Sequence, residues 1–295
     1  MTGTDDTVAD DDALFVLTAV LLTPAQYPSV LGDDYVAACA ELGLEPYAEG
    51  YGLVLGQDSG GARWTVVVDD VSLVAVAIAS WDCGMEYDLS PDDRTVVCAL
   101  PGWPLALAVA APGVPEPHDP DPDPEAEGPA ALTPPDTDTW GAPQRRLGAD
   151  EIALQWSAWR DQIDDDTAFG RRPAEPEASG GAPAAEGTAG DVAADDDADP
   201  TGAEGGQHPG VRAALEAARA YVVSPPPPGR IRSAFAPGGA RTLRVDGPGW
   251  SLVARTDDIA FVLLDEEPGE IMTVGRGPEL PGLLKSLDEL AVRPN

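Results

Sequence analysis

Residues 112–209 do not look like the folded sequence on either side of them. They hold 23 Asp and Glu against five Arg and no Lys, and they are crowded with Pro, Gly and Ala. Such a stretch has too little apolar surface to offset the entropy lost on ordering it. Patterned apolar sequence lies on both sides. The chain therefore reads as α+β: two small lobes with mostly antiparallel sheets flanked by helices, joined by a long acidic disordered tether. The expected boundaries are 1–111, 112–209 and 210–295. A random coil of the tether's length would span roughly 50–60 Å, and acidic self-repulsion would stretch it further. It could let one lobe take a partner while the other is held elsewhere.

The first lobe opens on the apolar run 14–22, which periodicity leaves open between a buried strand and a short helix. Asp33 or Asp34 is placed to cap a helix over 35–42, with Gly43 at its C-terminal end. Strands are expected at 51–55, 64–68, 71–79, 95–100 and 105–110, with Asp69 and Asp70 turning the chain between the second and third. In the second lobe, 211–223 has helical spacing, and Pro225 to Pro228 stop it. Strands follow at 242–245, 250–255, 259–264 and 271–274. Leu283, Leu284, Leu287 and Leu290 then form one stripe of a closing helix over 280–290. Each lobe holds a Trp-led strand, an Asp-Asp pair and a further apolar segment: Trp64, Asp69 and Asp70 in one, Trp250, Asp257 and Asp258 in the other. This echo is either a duplication or two hairpins built from common turn residues. The order of helix, strands and helix, with the low pI, resembles small acidic secretion chaperones and adaptor lobes at the level of architecture and charge, which does not carry function.

One segment inside the tether breaks its pattern. Ala149, Ile152, Trp156, Trp159 and Ile163 recur at spacings of three and four, which puts them on one face of a helix over about 149–163. Asp150 and Glu151 suit its N-terminus, and the acidic run 164–166 helps to stop it. An isolated helix of this length is marginal in water. The face should therefore bury itself, either on the chain's own lobes or in the groove of a partner. Ile152, Trp156, Trp159 and Ile163 are the candidate partner-binding residues. Arg145, Arg146 and Arg160 would steer the segment toward the chain's own acidic surface.

A net charge of −35 and a pI near 4.1 repel nucleic acid and anionic membranes and favour basic protein partners. The acidity also fits simple solubility or a salty cytoplasm. A single Lys, Lys285, set against abundant Arg, Ala, Gly and Pro fits a GC-rich genome. The three cysteines, Cys39, Cys83 and Cys98, include no C-x-x-C pair and suit a reducing compartment. The acidic N-terminus is unlike a signal peptide, and no apolar run is long enough to span a bilayer. A cytoplasmic protein is expected.

Chemistry is sparse. Both histidines, His118 and His208, lie in or at the edge of the tether, which removes His-based triads and His/Cys zinc sites from the lobes. No P-loop motif occurs, and Gly50-Tyr51-Gly52 lacks the third glycine of a dinucleotide fingerprint. Asp119, Asp121 and Asp123 open like an EF-hand loop, but Pro124 stands where its glycine should be. No cofactor, catalytic residue or metal site is expected. Asp82 beside Cys83 is the wrong sign to activate a thiolate. Convergence of Asp69, Asp70, Asp257 and Asp258 is the one route to a carboxylate enzyme. The leading expectation is a non-enzymatic interaction factor, an adaptor, chaperone-like or regulatory protein that binds a basic partner. An acidic inhibitor or immunity-type protein mimicking nucleic acid is the second reading, and the carboxylate enzyme the third.

Overall fold

The ambiguous run 14–22 is a strand, β1 (Phe15–Leu22). It belongs to a computed structural model that describes residues 14–104, 119–120, 130–134, 136, 138–164 and 207–294. β1 pairs with β2 (Tyr51–Gln57), β2 with β3 (Arg63–Val68) and β3 with β4 (Val96–Pro101), all antiparallel. Side-chain alternation sends successive residues to opposite faces. On one face, Leu22, Leu53, Val67 and Leu100 pack with Tyr35, Ala38 and Cys39 of helix α1 (Tyr35–Glu41). Asp34 caps α1, its carboxylate accepting the Ala37 N–H at 2.6 Å. On the other face, Ala19, Val54, Val66 and Val68 pack with Val74.

Val74 belongs to a helix where a strand was expected. Residues 71–79 lie in α2 (Val71–Asp82). Asp70 acts as its cap rather than as a turn residue, and its Oδ1 accepts from the Leu73 N–H at 2.9 Å. The helix lies close to the sheet at Gly52, where a Cβ would sit 2.4 Å from a methyl of Val74. The expected strand 105–110 lies outside the described residues.

The second sheet is a meander of β5 (Ile231–Phe235), β6 (Arg241–Gly247), β7 (Trp250–Arg255), β8 (Ala260–Leu264) and β9 (Ile271–Val274), in that order and antiparallel throughout. Strand β5 was not expected. Both faces of this sheet are covered. Leu243, Val245, Leu252, Ala254 and Val262 meet two helices, α5 (Pro209–Val223) and α6 (Leu280–Leu290). The alternate residues Val253, Phe261 and Leu263 meet a helical segment from the middle of the chain. Burial on both sides explains why β8 is apolar at every position.

That segment is two helices, α3 (Ala142–Leu154) and α4 (Trp156–Arg160), broken at Gln155. The helix expected over about 149–163 thus starts earlier, breaks at Gln155 and ends at Arg160, so that Ile163 lies in the turn beyond it. The Trp–Asp–Asp echo dissolves as well: after Asp70 the chain enters helix α2, while after Asp258 it enters strand β8. The described residues form an α+β protein with two antiparallel sheets and six helices. Among them, no helix is long and apolar enough to cross a membrane.

Candidate functional site

The apolar face of α3 and α4 rests on the chain's own second sheet. Ala149, Ile152 and Trp156 are buried there with Val253, Ile259, Phe261 and Leu263. Trp156 meets Phe261 edge-on, with ring centroids 5.3 Å apart. Trp159 and Ile163 pack against the same cluster and stay partly buried. The structure therefore brings all four candidate binding residues onto one surface and covers that surface with β7 and β8. Using Ile152 and Trp156 on a partner would require the helices to leave the sheet. The Trp156 indole N–H is buried without an acceptor among the described residues, a cost of docking that apolar contact must exceed. Trp140 avoids that cost by donating to the Leu264 carbonyl at 3.0 Å.

The same segment carries Arg145 and Arg146, which meet the chain's own carboxylates as their charge suggested. Both are buried, and Arg145 is among the largest fully buried side chains of the described residues. Arg145 has a fully buried side chain. Its Nε donates to Asp265 Oδ1 at 2.6 Å, its Nη1 to Ser251 Oγ at 2.5 Å, and its Nη2 to Asp33 Oδ1 at 3.4 Å. Arg146 donates to the Ser29 carbonyl at 2.6 Å and to Asp33 at 2.8 Å. One helical turn thus ties the loop before α1 to the second sheet. The fork of a guanidinium allows this; a lysine could not hold three acceptors in fixed directions.

A second layer lies beneath. Asp246 is wholly buried and accepts from Arg244 at 3.0 and 3.1 Å, from Ser251 Oγ at 2.6 Å and from Arg232 at 3.4 Å. Arg244 also pairs with Asp150 of α3. Burial alone pushes the Asp246 carboxyl up, but Arg244, then Arg232 and the hydrogen bonds outweigh it and hold the group below the usual carboxylate range. Arg230 pairs with Asp34 at 2.9 Å, and the Tyr35 N–H donates to the Pro228 carbonyl at 3.0 Å. The Tyr27 hydroxyl lies 2.9 and 3.0 Å from the carbonyl oxygens of Asp33 and Gly229 and donates its one proton between them. Burial pushes its pKa far up, so it stays a neutral donor. Among the described residues, the arginines of this junction face inward and are matched by carboxylates.

The remaining candidates for chemistry are held apart. Asp70 caps α2, Asp257 pairs with Arg255 and Asp258 pairs with Arg160. Asp69 and Asp70 line an open cleft of about 660 Å³ with Glu49, Thr23, Ser72 and Arg293. Its volume suits a small ligand, yet neither Asp257 nor Asp258 reaches it. Among the described residues no three His, Cys, Asp or Glu side chains are grouped to hold a metal ion. Burial raises the thiol pKa of Cys39 and of Cys98, which disfavours the thiolate of each, and all three cysteines are unbridged. Asp119 pairs with Arg63, while Asp121, Asp123 and His118 lie outside the described residues. His208 caps α5 through Nδ1, which accepts the Gly210 N–H at 3.2 Å. No protein-family model, no curated protein and no solved structure matches this chain.

Proposed function

We propose that this chain is a non-enzymatic, cytoplasmic protein-interaction factor, an adaptor, chaperone-like or regulatory protein that takes a basic protein partner. In this reading residues 1–111 and 210–295 act as two lobes. The acidic segment 112–209 links them, with α3 and α4 as the part of the link that docks. The observation that carries the reading is how positive charge is distributed. Residues 14–104 hold thirteen carboxylates and two arginines. Arg63 is buried against Asp119, and Arg94 is tied to Asp92. Arg146, Arg230, Arg232 and Arg244 turn inward to Asp33, Asp34, Asp150 and Asp246, while Arg212, Arg219, Lys285 and Arg293 are exposed. Glu45, Glu49, Asp82, Glu86, Asp88 and Asp93 meanwhile face solvent. A field of one sign raises the encounter rate with cationic proteins and rejects nucleic acid and like-charged surfaces.

The test is binding of the full chain to peptides of matched apolar content whose charge is graded from anionic to cationic. Affinity should rise with positive charge and fall as ionic strength rises from low to physiological, because exposed charges are screened over about 8–10 Å there. Failure of the cationic peptides to bind at low ionic strength, or equal binding by all of them, would overturn the reading.

A further inference from the structure

Helix α2 offers more apolar surface than the first sheet covers. Val74 and Ala77 are buried and Ile78 is partly so, but Trp81, next on that stripe, is 59% exposed. The helix ends in a closed C-terminal motif. The Gly84 N–H donates to the Trp81 carbonyl and the Met85 N–H to the Ser80 carbonyl, both at 2.9 Å, and Gly84 sits at φ +70°. The residue in Met85's position ordinarily packs on apolar side chains one turn back in the helix. Here those positions are Ser80 and Ala79, and Met85 is left 57% exposed. Tyr87 follows, also exposed. The loop then returns to the sheet at Leu89, which packs against the cluster of Ala19, Val54, Val66, Val68 and Val74. Trp81, Met85 and Tyr87 are therefore all exposed within one short segment held at both ends, by the end of α2 and by Leu89.

The segment is also strongly acidic. Residues 81–94 hold five carboxylates and one arginine, Arg94, which is taken by Asp92. The Ser90 N–H on Asp88 and the guanidinium of Arg94 on Asp92 hold those two carboxyls below the usual range, so they stay ionised near neutrality. Monomeric proteins rarely leave a large apolar patch uncovered. Trp and Tyr dominate binding hot spots, and Met adapts to varied contours. A second copy of this chain would bring its own carboxylates to the patch, and an anionic membrane would be repelled. The complementary occupant has apolar side chains on one side and cations around them.

We propose that Trp81, Met85 and Tyr87, interleaved in one exposed segment with Asp82, Glu86 and Asp88, form the docking surface for a cationic amphipathic segment of a protein partner. This rests on the reading above and gives it a place. The test uses a fluorescently labelled leucine–lysine amphipathic peptide and the full chain, read by anisotropy. Trp81→Ala with Met85→Ala should weaken binding roughly tenfold or more. The exposed side chains leave the fold unstrained by these changes, and an unchanged melting curve checks that. Asp82→Asn, Glu86→Gln and Asp88→Asn together should weaken binding and flatten its salt dependence. A leucine–glutamate peptide should not bind. If the cationic peptide binds wild type and the Trp81/Met85 variant equally, this surface is wrong while the general reading stands. If it fails to bind wild type at low ionic strength, both fall. If the Trp81/Met85 change instead abolishes binding to phosphatidylcholine vesicles and leaves the peptide untouched, the patch is a lipid contact and the proposal is overturned.

Discussion

Replacing Arg145 by Met tests whether α3 is the piece that holds the two sheets together. The substitution keeps most of the side-chain stem and removes the guanidinium. Removing one partner of a buried ion pair costs about 3–5 kcal/mol, because the group left behind is desolvated and unpaired. Here the low end applies. Asp33 and Asp265 keep 21% and 31% of their side-chain surface in solvent and can rehydrate. Only Asp246, 4.0 Å away, is wholly buried, and it keeps Arg244 and Arg232. The expected loss is about 3 kcal/mol, or roughly 6–12 °C in melting temperature for a chain of this size. The assay is thermal and urea unfolding by circular dichroism at pH 7; urea avoids the screening that guanidinium salt would introduce. Buried pairs are screened little, so the loss should persist at high salt. Arg94→Met removes the exposed partner of Asp92 and should leave the melting temperature unchanged. An Arg145→Met protein melting within about 2 °C of wild type would refute the reasoning, since that shift is worth only about 1 kcal/mol or less.

Three further outcomes follow from the same contacts. Trp156→Ala empties its place against Phe261 and should cost about 3–5 kcal/mol in urea unfolding, less whatever its unpaired N–H now forfeits. Asp246 and Asp288 both have folded pKa values below the ordinary carboxylate value. Their stabilisation is complete above that ordinary value and is lost as pH falls through the lower folded one, so the urea midpoint should drop between about pH 5 and pH 1, with a shallower drop in Asp246→Asn. Gly84→Ala places a side chain at φ +70° with open space around it, so strain alone should lower stability by about 1 kcal/mol in the same urea assay.

Much of the secondary structure was legible because it rests on local pattern. Strands 64–68, 250–255 and 271–274 show the apolar and β-branched runs expected of them, and Leu283, Leu284 and Leu287 mark α6. Helix α2 was missed because Val71, Val74, Val76 and Ile78 read equally well as a strand. The deciding signal was the side chain of Asp70, which serves a turn or a helix cap alike. Strand β5 was missed because Arg232 interrupts it, and the charge makes sense only beside Ser29 and Asp246, which are distant in sequence. The helical stripe from Ala149 to Ile163 was visible, but its cover was not. Arg145 and Arg146 were read as charges that steer the segment toward an acidic surface. Their burial depends on acceptors from two other parts of the chain, and no local pattern encodes that. No local pattern marks Trp81 and Met85 as exposed. Their significance lies in the absence of a cover, which is a property of the packed sheet.

Hydrogen–deuterium exchange on the isolated protein, repeated with the leucine–lysine peptide bound, compares the two tryptophan surfaces in one experiment. Peptides covering 142–163 should be protected in both states, because that face lies on β7 and β8. Peptides covering 76–97 should gain protection only when the cationic peptide is present. Rapid exchange over 142–163 in the free protein, slowing on binding while 76–97 stays unchanged, would contradict this and make Ile152, Trp156, Trp159 and Ile163 the recognition surface instead.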